Sequence, residues 1–138
     1  MNMTSAHESA FVVLHHIVPP EHVLPGGRGT HFDLMLELHG VLKTWAIEQW
    51  PFDTLAQYSA AQYPAAQLPD HRIDYLRYEG PISNNRGEVR RVASGSYRSL
   101  SHSADTWEVE LVWANDLGES NRLRLKITSA GLQILSRS

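Results

Sequence analysis

The sequence contains no cysteine among its 138 residues, which excludes both disulfide bonds and thiolate chemistry. No apolar run approaches the roughly 20 residues that a membrane-spanning helix needs. The first ten residues, MNMTSAHESA, lack the basic and apolar regions of a signal peptide. Glycine-rich nucleotide-binding motifs and internal repeats are missing as well. These absences favour a cytoplasmic protein with no membrane association and no nucleotide-binding fold.

Charge is distributed unevenly along the chain. Residues 1–71 hold two basic and seven acidic side chains, whereas residues 72–98 hold six arginines and three acidic side chains. A local excess of arginine suits a phosphate-facing surface, although a solvated pair of strands is the more ordinary explanation. Histidine is abundant, with eight residues, which favours metal binding or proton transfer.

Short segments of alternating apolar and polar residues predict a mostly β protein. The run HFDLMLEL (31–38) alternates with Phe32, Leu34, Leu36 and Leu38 on one face, which is typical of a strand packed on a core. Together with VLKTWAI (41–47) it predicts a hairpin that turns at His39-Gly40.

The rest of the chain continues this pattern. Residues 52–62 suit a short helix or a loop, and Ala93-Ser94 suits a turn between two strands. Further strands are expected at residues 11–18, 88–92, 95–98, 107–113, 122–128 and 132–135. We therefore expect a β-sandwich or a small β-barrel that forms a single domain at residues 11–138, with short helical or 3-10 segments, after a flexible N-terminus at residues 1–10.

The polar face of HFDLMLEL begins with a histidine and a carboxylate. His31 and Asp33 are two residues apart on one face, so their Cβ atoms should lie about 6.5–7 Å apart. At that separation both side chains can bind one ion at about 2.0–2.2 Å. The preceding strand ends in His15-His16, and one of these imidazoles is available as a third ligand. By itself H-x-D is a weak signal, and a surface pair or a structural hydrogen bond explains it better than a metal ion does.

Three runs, in order, resemble the 3′-phosphoesterase domain of bacterial DNA ligase D. They are FVVLHH, HFDLMLELHGVLKTWAI and HRIDYLRYEG, and together they lie within residues 11–98. The family pattern joins F-V-V-x-x-H to H-x-D-x-x-L-E-L-x-G-V-L-x-[ST]-W, followed by H-x-x-D-Y. The resemblance implies a compact β-barrel that uses a divalent cation, typically manganese, to remove a terminal 3′-ribonucleoside and a 3′-phosphate during DNA break repair.

Carried over by position, the resemblance implies a role for five residues. His16, His31 and Asp33 would be the metal ligands, since His16 holds the sixth place of F-V-V-x-x-H. His71 and Tyr75 would contact the phosphate as catalytic residues. The implied partners are DNA or RNA/DNA 3′ ends and a ligase or polymerase of non-homologous end joining. A monomer associated with the nucleoid is expected.

Two positions depart from the family pattern. Met35 stands where members of the family have a phosphate-binding Arg, and Gln49 stands where they have a Lys. Methionine cannot replace the bidentate phosphate contact of an arginine. We expect weakened catalysis unless another arginine compensates, and the candidates are Arg28, Arg72, Arg77 and Arg86. The alternative is a degenerate module that still binds metal and nucleic acid but has lost its enzymatic activity.

Overall fold

The computed structural model describes residues 9–50 and 62–138. The predicted helix or loop at residues 52–62 lies, except for Gln62, outside the described residues, as do residues 1–8 of the predicted N-terminal segment. Within the described residues there is no helix long and apolar enough to cross a membrane. Residues 9–50 and 62–138 contain ten strands: β1 (Ser9–Ile17), β2 (His31–Leu38), β3 (Val41–Ile47), β4 (Gln62–Tyr63), β5 (Ala65–Arg72), β6 (Gly80–Pro81), β7 (Glu88–His102), β8 (Thr106–Ala114), β9 (Ser120–Thr128) and β10 (Gly131–Arg137).

All ten strands belong to one antiparallel sheet that curls into a half-barrel, which confirms the predicted β fold. The strand order is β4-β10-β9-β8-β7-β1-β2-β3-β5, and β6 pairs with β7 beside this path. Two short 3-10 helices, Pro20–His22 and Ile73–Leu76, lie in the connections that the structure describes. In this part of the chain, the helical segments are single turns.

The hairpin of β2 and β3 forms as predicted. Leu38 pairs with Val41, and the intervening His39 and Gly40 both have positive φ, at 54° and 83°. Two left-handed residues give the tight turn that matches the twist of antiparallel strands. Leu34 and Leu36 are fully buried, while Phe32 and Leu38 are half-buried against the same core.

The predicted turn at Ala93-Ser94 is wrong. Strand β7 runs without a break from Glu88 to His102. The register along β1 shifts here, because Val13 pairs with Ala93 while Leu14 pairs with Arg91. Val92 is thus the extra residue of a β-bulge, which bends a strand without reversing it. The small residues that follow the bulge, Ala93, Ser94 and Gly95, gave the segment the appearance of a turn.

The sheet buries apolar side chains on both of its faces around β1 and β2. The inner face packs a large cluster around Phe11, Leu34, Trp45 and Trp107. A smaller cluster on the outer face contains Val12, Leu14, Met35, Leu42 and Val89, and Ile73, Tyr75, Leu76 and Ile82 pack against it. The connection at residues 73–82 therefore covers part of the face on which the sequence predicted a metal site.

Candidate metal centre

Two strand ends bring the predicted metal ligands together. His16 lies at the end of β1 directly opposite His31 at the start of β2, and Leu14 lies opposite Asp33. His31 and Asp33 share a face because they are two residues apart, and cross-strand pairing sets His16 beside them. His15 points to the other face, where its ring stacks on Phe32 at a centroid distance of 4.4 Å.

The three side chains point at one another. His31 Nε2 lies 2.9 Å from Asp33 Oδ1, and His16 Nδ1 lies 3.7 Å from Asp33 Oδ2. One ligand atom from each of the three residues lies within 4.8 Å of the others. Ligands on opposite sides of an ion at about 2.1 Å would be about 4.2 Å apart, so a small inward rotation suffices to bind one cation.

Outward hydrogen bonds fix both imidazole rings. His16 Nε2 donates to the carbonyl oxygen of Arg86, and His31 Nδ1 donates to the carbonyl oxygen of Gly29, each at 2.7 Å. A carbonyl has no proton to give, so the hydrogen belongs to the ring nitrogen. In the neutral rings the other nitrogens then turn lone pairs toward Asp33, an arrangement typical of metal-binding histidines. Two nitrogen donors and one carboxylate suit a divalent cation with positions left open.

The two histidines keep the Asp33 carboxylate ionised in spite of its burial. Asp33 is 3% exposed and His31 is 5% exposed. Burial raises the pKa of Asp33, but its interactions with His16 and His31 outweigh burial and hold the pKa below its ordinary value of 3.8. The Asp33 carboxylate in turn raises the pKa of His16 above 6.5. The pair of histidines therefore stabilises a negative charge that a metal ion would also stabilise.

A tight turn holds the carbonyl that binds His16. Asn84, Asn85 and Gly87 all have positive φ, and the Arg86 guanidinium donates to the carbonyl oxygen and hydroxyl of Ser83 at 2.9 and 3.1 Å. A Cβ on Gly87 would lie only 2.0 Å from the carbonyl oxygen of Ile17, so only glycine permits this close approach. The turn is thereby packed directly onto the end of β1.

Met35 lies on the same face as His31 and Asp33, in agreement with strand alternation. It is 1% exposed and packs in the outer apolar cluster with Val12 and Leu42. The place at which members of the family present a phosphate-binding Arg is thus filled and closed in this protein. Gln49, the second departure, is exposed just after β3.

His71 and Tyr75 lie on the connection that covers this face. Tyr75 packs on the outer apolar cluster, and its ring lies 5.6 Å from that of His71. His71 Nδ1 donates to the carbonyl oxygen of Pro69 at 3.0 Å, which leaves Nε2 available. His71 pairs with Leu42 on β3, and Asp33 pairs with Ala46 on the same strand. Leu42 and Ala46 are four residues apart, so His71 and Asp33 are separated by about 13 Å along the strand direction. A phosphate-contacting role for both residues remains a prediction.

The four candidate arginines divide into two groups. The side chains of Arg28, Arg72 and Arg77 are exposed and make no hydrogen bond or ion pair with any part of the chain that the structure describes. Arg86 instead uses its guanidinium within its own turn and presents its carbonyl to His16. The first three are available for phosphate, and that function remains a prediction for all four.

Sequence reasoning missed the two carbonyl groups that orient the histidines. Gly29 precedes His31 by two residues, and Arg86 follows a pair of asparagines and precedes a glycine. The run N-N-R-G does signal a left-handed turn, but nothing local tells that the turn meets His16. That contact joins residues 70 positions apart.

The fold and the site together define a class of protein: an antiparallel β half-barrel with a candidate His-His-Asp metal centre on its outer face. The family model of the DNA ligase D 3′-phosphoesterase domain matches residues 21–133. The chain therefore belongs to the DNA ligase D 3′-phosphoesterase domain family. The match begins after His16, which joins the centre through its pairing with His31. No curated protein matches the chain.

Proposed function

We propose that this protein is a divalent-metal-dependent phosphoesterase that processes DNA 3′ ends, with a terminal 3′-ribonucleoside and a 3′-phosphate as its substrates. The observation that carries the proposal is the His16, His31 and Asp33 cluster, with both imidazoles oriented by outward hydrogen bonds, in a chain of this family. Manganese is the proposed metal. DNA or RNA/DNA 3′ ends are the proposed partners, in repair by end joining.

The proposed chemistry assigns a distinct task to each group. The metal, when bound, would polarise the phosphoryl oxygens and offset the charge that builds on them. His16, His31 and Asp33 would hold it, and the two carbonyl contacts would keep both rings in the binding tautomer. His71, whose Nε2 is not used by its bond to Pro69, would donate a hydrogen bond or a proton to a phosphate oxygen. Tyr75 would add a neutral donor.

The burial of Met35 leads us to expect a low catalytic rate. Loss of one charge-assisted donor from a site of this kind costs about 10²–10³-fold in rate. Met35 is apolar and closed to solvent, so the lost charge has to come from elsewhere. Arg28, Arg72 and Arg77 are the proposed replacements because their guanidinium groups are exposed and unpaired in the described chain.

The decisive experiment incubates the protein with manganese and labelled duplexes that end in a 3′-phosphate or a single 3′-ribonucleotide. We expect slow removal of the terminal group, abolished by EDTA and by Asp33→Asn. His15→Ala serves as the matched control, because its ring lies on the opposite face from the cluster. Equal activity of wild type and Asp33→Asn would exclude this centre as the origin of the reaction.

A second function, a metal- and nucleic-acid-binding repair module without catalysis, is favoured by the closed position of Met35. The same incubation separates the two. Manganese binding with salt-sensitive duplex binding, but with no change at either 3′ end, would establish the module and exclude the enzyme.

A further inference from the structure

Three arginines surround one buried glutamate on the same outer face of the sheet as the metal centre, on the neighbouring strands β7, β8 and β9. Glu110 on β8 is 4% exposed. Arg98 Nη2 and Arg122 Nη1 donate to its Oε1 at 2.9 and 3.0 Å, and Arg124 Nη2 lies 3.5 Å from its Oε2. We call these three arginines the Arg trio. Their side chains are 54%, 51% and 46% exposed, so the carboxylate is covered by guanidinium groups that themselves face water.

The Arg trio carries more charge than Glu110 can neutralise. One carboxylate offsets one of three guanidinium groups, which leaves a net charge of +2 at one place on the surface. Each guanidinium has five N–H donors, and the bonds to Glu110 use few of them. A buried carboxylate needs an opposite charge beside it, but one guanidinium is enough to neutralise Glu110, so stability alone does not call for three arginines. The unused donors form a surface suited to a polyanion.

Strand pairing fixes the backbone positions of the Arg trio. Arg98 and Arg124 flank Glu110 from the two neighbouring strands, and Arg122 lies two positions before Arg124 on β9. The bonds to Glu110 hold the three long side chains in place before any ligand arrives. A preorganised set of donors loses less conformational entropy on binding than three free arginines would.

Strand β7 connects the metal centre to the Arg trio along one face of the sheet. Val89 on β7 pairs with His16, and Arg98 follows nine residues later. Tyr97 belongs to the inner core, so the adjacent Arg98 faces outward, as His16 does. Nine residues span at most about 30 Å, which is roughly nine base pairs of duplex at 3.4 Å each. Exposed Arg91 lies between the two ends on this face, whereas Arg90 pairs with His15 and points to the opposite face.

We propose that the Arg trio binds the phosphodiester backbone of duplex DNA whose 3′ end lies at the metal centre. The proposal deepens the proposed function and rests on it for the position of the 3′ end. Glu110 then has two effects: it orders the three guanidinium groups, and it lowers the net positive charge that the DNA meets. A duplex shorter than about nine base pairs would reach the metal centre but not the Arg trio.

The test measures duplex binding by fluorescence anisotropy in EDTA, with unreactive 3′-hydroxyl ends, on hairpin-capped duplexes of about 6 and 16 base pairs. For the longer duplex, we expect Arg122→Gln and Arg124→Gln each to weaken binding about five- to tenfold near 0.1 M salt and to lower the salt slope by about one. Glu110→Gln should strengthen it. The short duplex should bind all variants equally. Lys43→Gln is the matched control, since it removes one exposed ion-paired charge elsewhere.

Two results would overturn the proposal. One is equal loss of affinity in Arg124→Gln and Lys43→Gln; the other is a loss in the arginine variants that is the same for both duplex lengths. Circular dichroism checks that each variant is folded, and either arginine variant alone decides the question if Glu110→Gln is unstable. The binding assay needs neither metal nor turnover, so it can be interpreted even if the protein does not process 3′ ends. Conversely, if the enzyme is active and the arginine variants show the same dependence of affinity on duplex length as wild type, DNA binding by the Arg trio is refuted and the proposed function is not.

Discussion

Substitution of Met35 by arginine tests whether the outer face is closed where the family has its phosphate-binding residue. Met35 is 1% exposed, and Val12, Leu14 and Leu42 around it are fully buried. The nearest carboxylate on its face, Asp33, already interacts with two histidines. A guanidinium at this place would be a buried charge without a free partner, which costs about 3–5 kcal/mol.

Urea denaturation of Met35→Arg and Met35→Leu provides the measurement. Leucine keeps the volume and the apolar character, so it should cost less than about 1.5 kcal/mol. With a urea slope of about 1–3 kcal/mol per molar, the arginine variant should unfold at least about 1 M earlier than wild type. If the guanidinium instead turns to Asp33, manganese affinity measured by calorimetry should fall as well. Equal stability of the arginine and leucine variants, with unchanged manganese affinity, would show that position 35 opens to solvent.

Three further outcomes follow from the site and the sheet. His16→Ala should abolish manganese binding measured by calorimetry while His15→Ala leaves it unchanged, and equal losses would refute the chosen ligand. Gly87→Ala should destabilise the fold by more than about 2 kcal/mol and weaken manganese binding, because its Cβ would meet the carbonyl oxygen of Ile17 at 2.0 Å. Gly118→Ala, at φ +80° with open space around it, is the control for strain alone, and similar losses would contradict the packing argument. The hydrogen bond from Arg98, together with the interactions of Arg122, outweighs burial and holds the pKa of Glu110 below 4.5. Its contribution to stability is therefore complete above about pH 4.5 and is lost as the pH falls through the lowered value. The free energy of unfolding of Glu110→Gln should then fall less steeply between pH 5 and 2, and parallel curves would disprove the coupling.

Strand alternation let the sequence place several residues correctly. His31, Asp33 and Met35 share a face because successive side chains of a strand alternate, and the same rule sends His15 and His16 to opposite faces. The hairpin at His39-Gly40 was equally predictable from the sequence, since a two-residue turn with glycine is a local signal. These features depend on neighbours in the chain, so the sequence alone carries them.

Pairing and packing between segments distant in the sequence determine the features that the sequence alone did not predict. The bulge at Val92 arises because β7 pairs with β1 along the whole length of β1. The sequence around Ala93-Ser94 carries no information about this partner strand. The carbonyl of Arg86 reaches His16 only because a turn is packed onto the end of β1. Met35 is closed because residues 73–82 fold back over its face.

The Arg trio shows the same division between local pattern and tertiary structure. Alternation in β9 predicts that Arg122 and Arg124 face outward, and it does so correctly. Only the pairing of β7, β8 and β9 brings Arg98 to the same carboxylate, because that pairing joins residues 12 positions apart in each direction from Glu110. Sequence determines the face to which a side chain points through local backbone geometry; long-range register determines which other side chains it meets there.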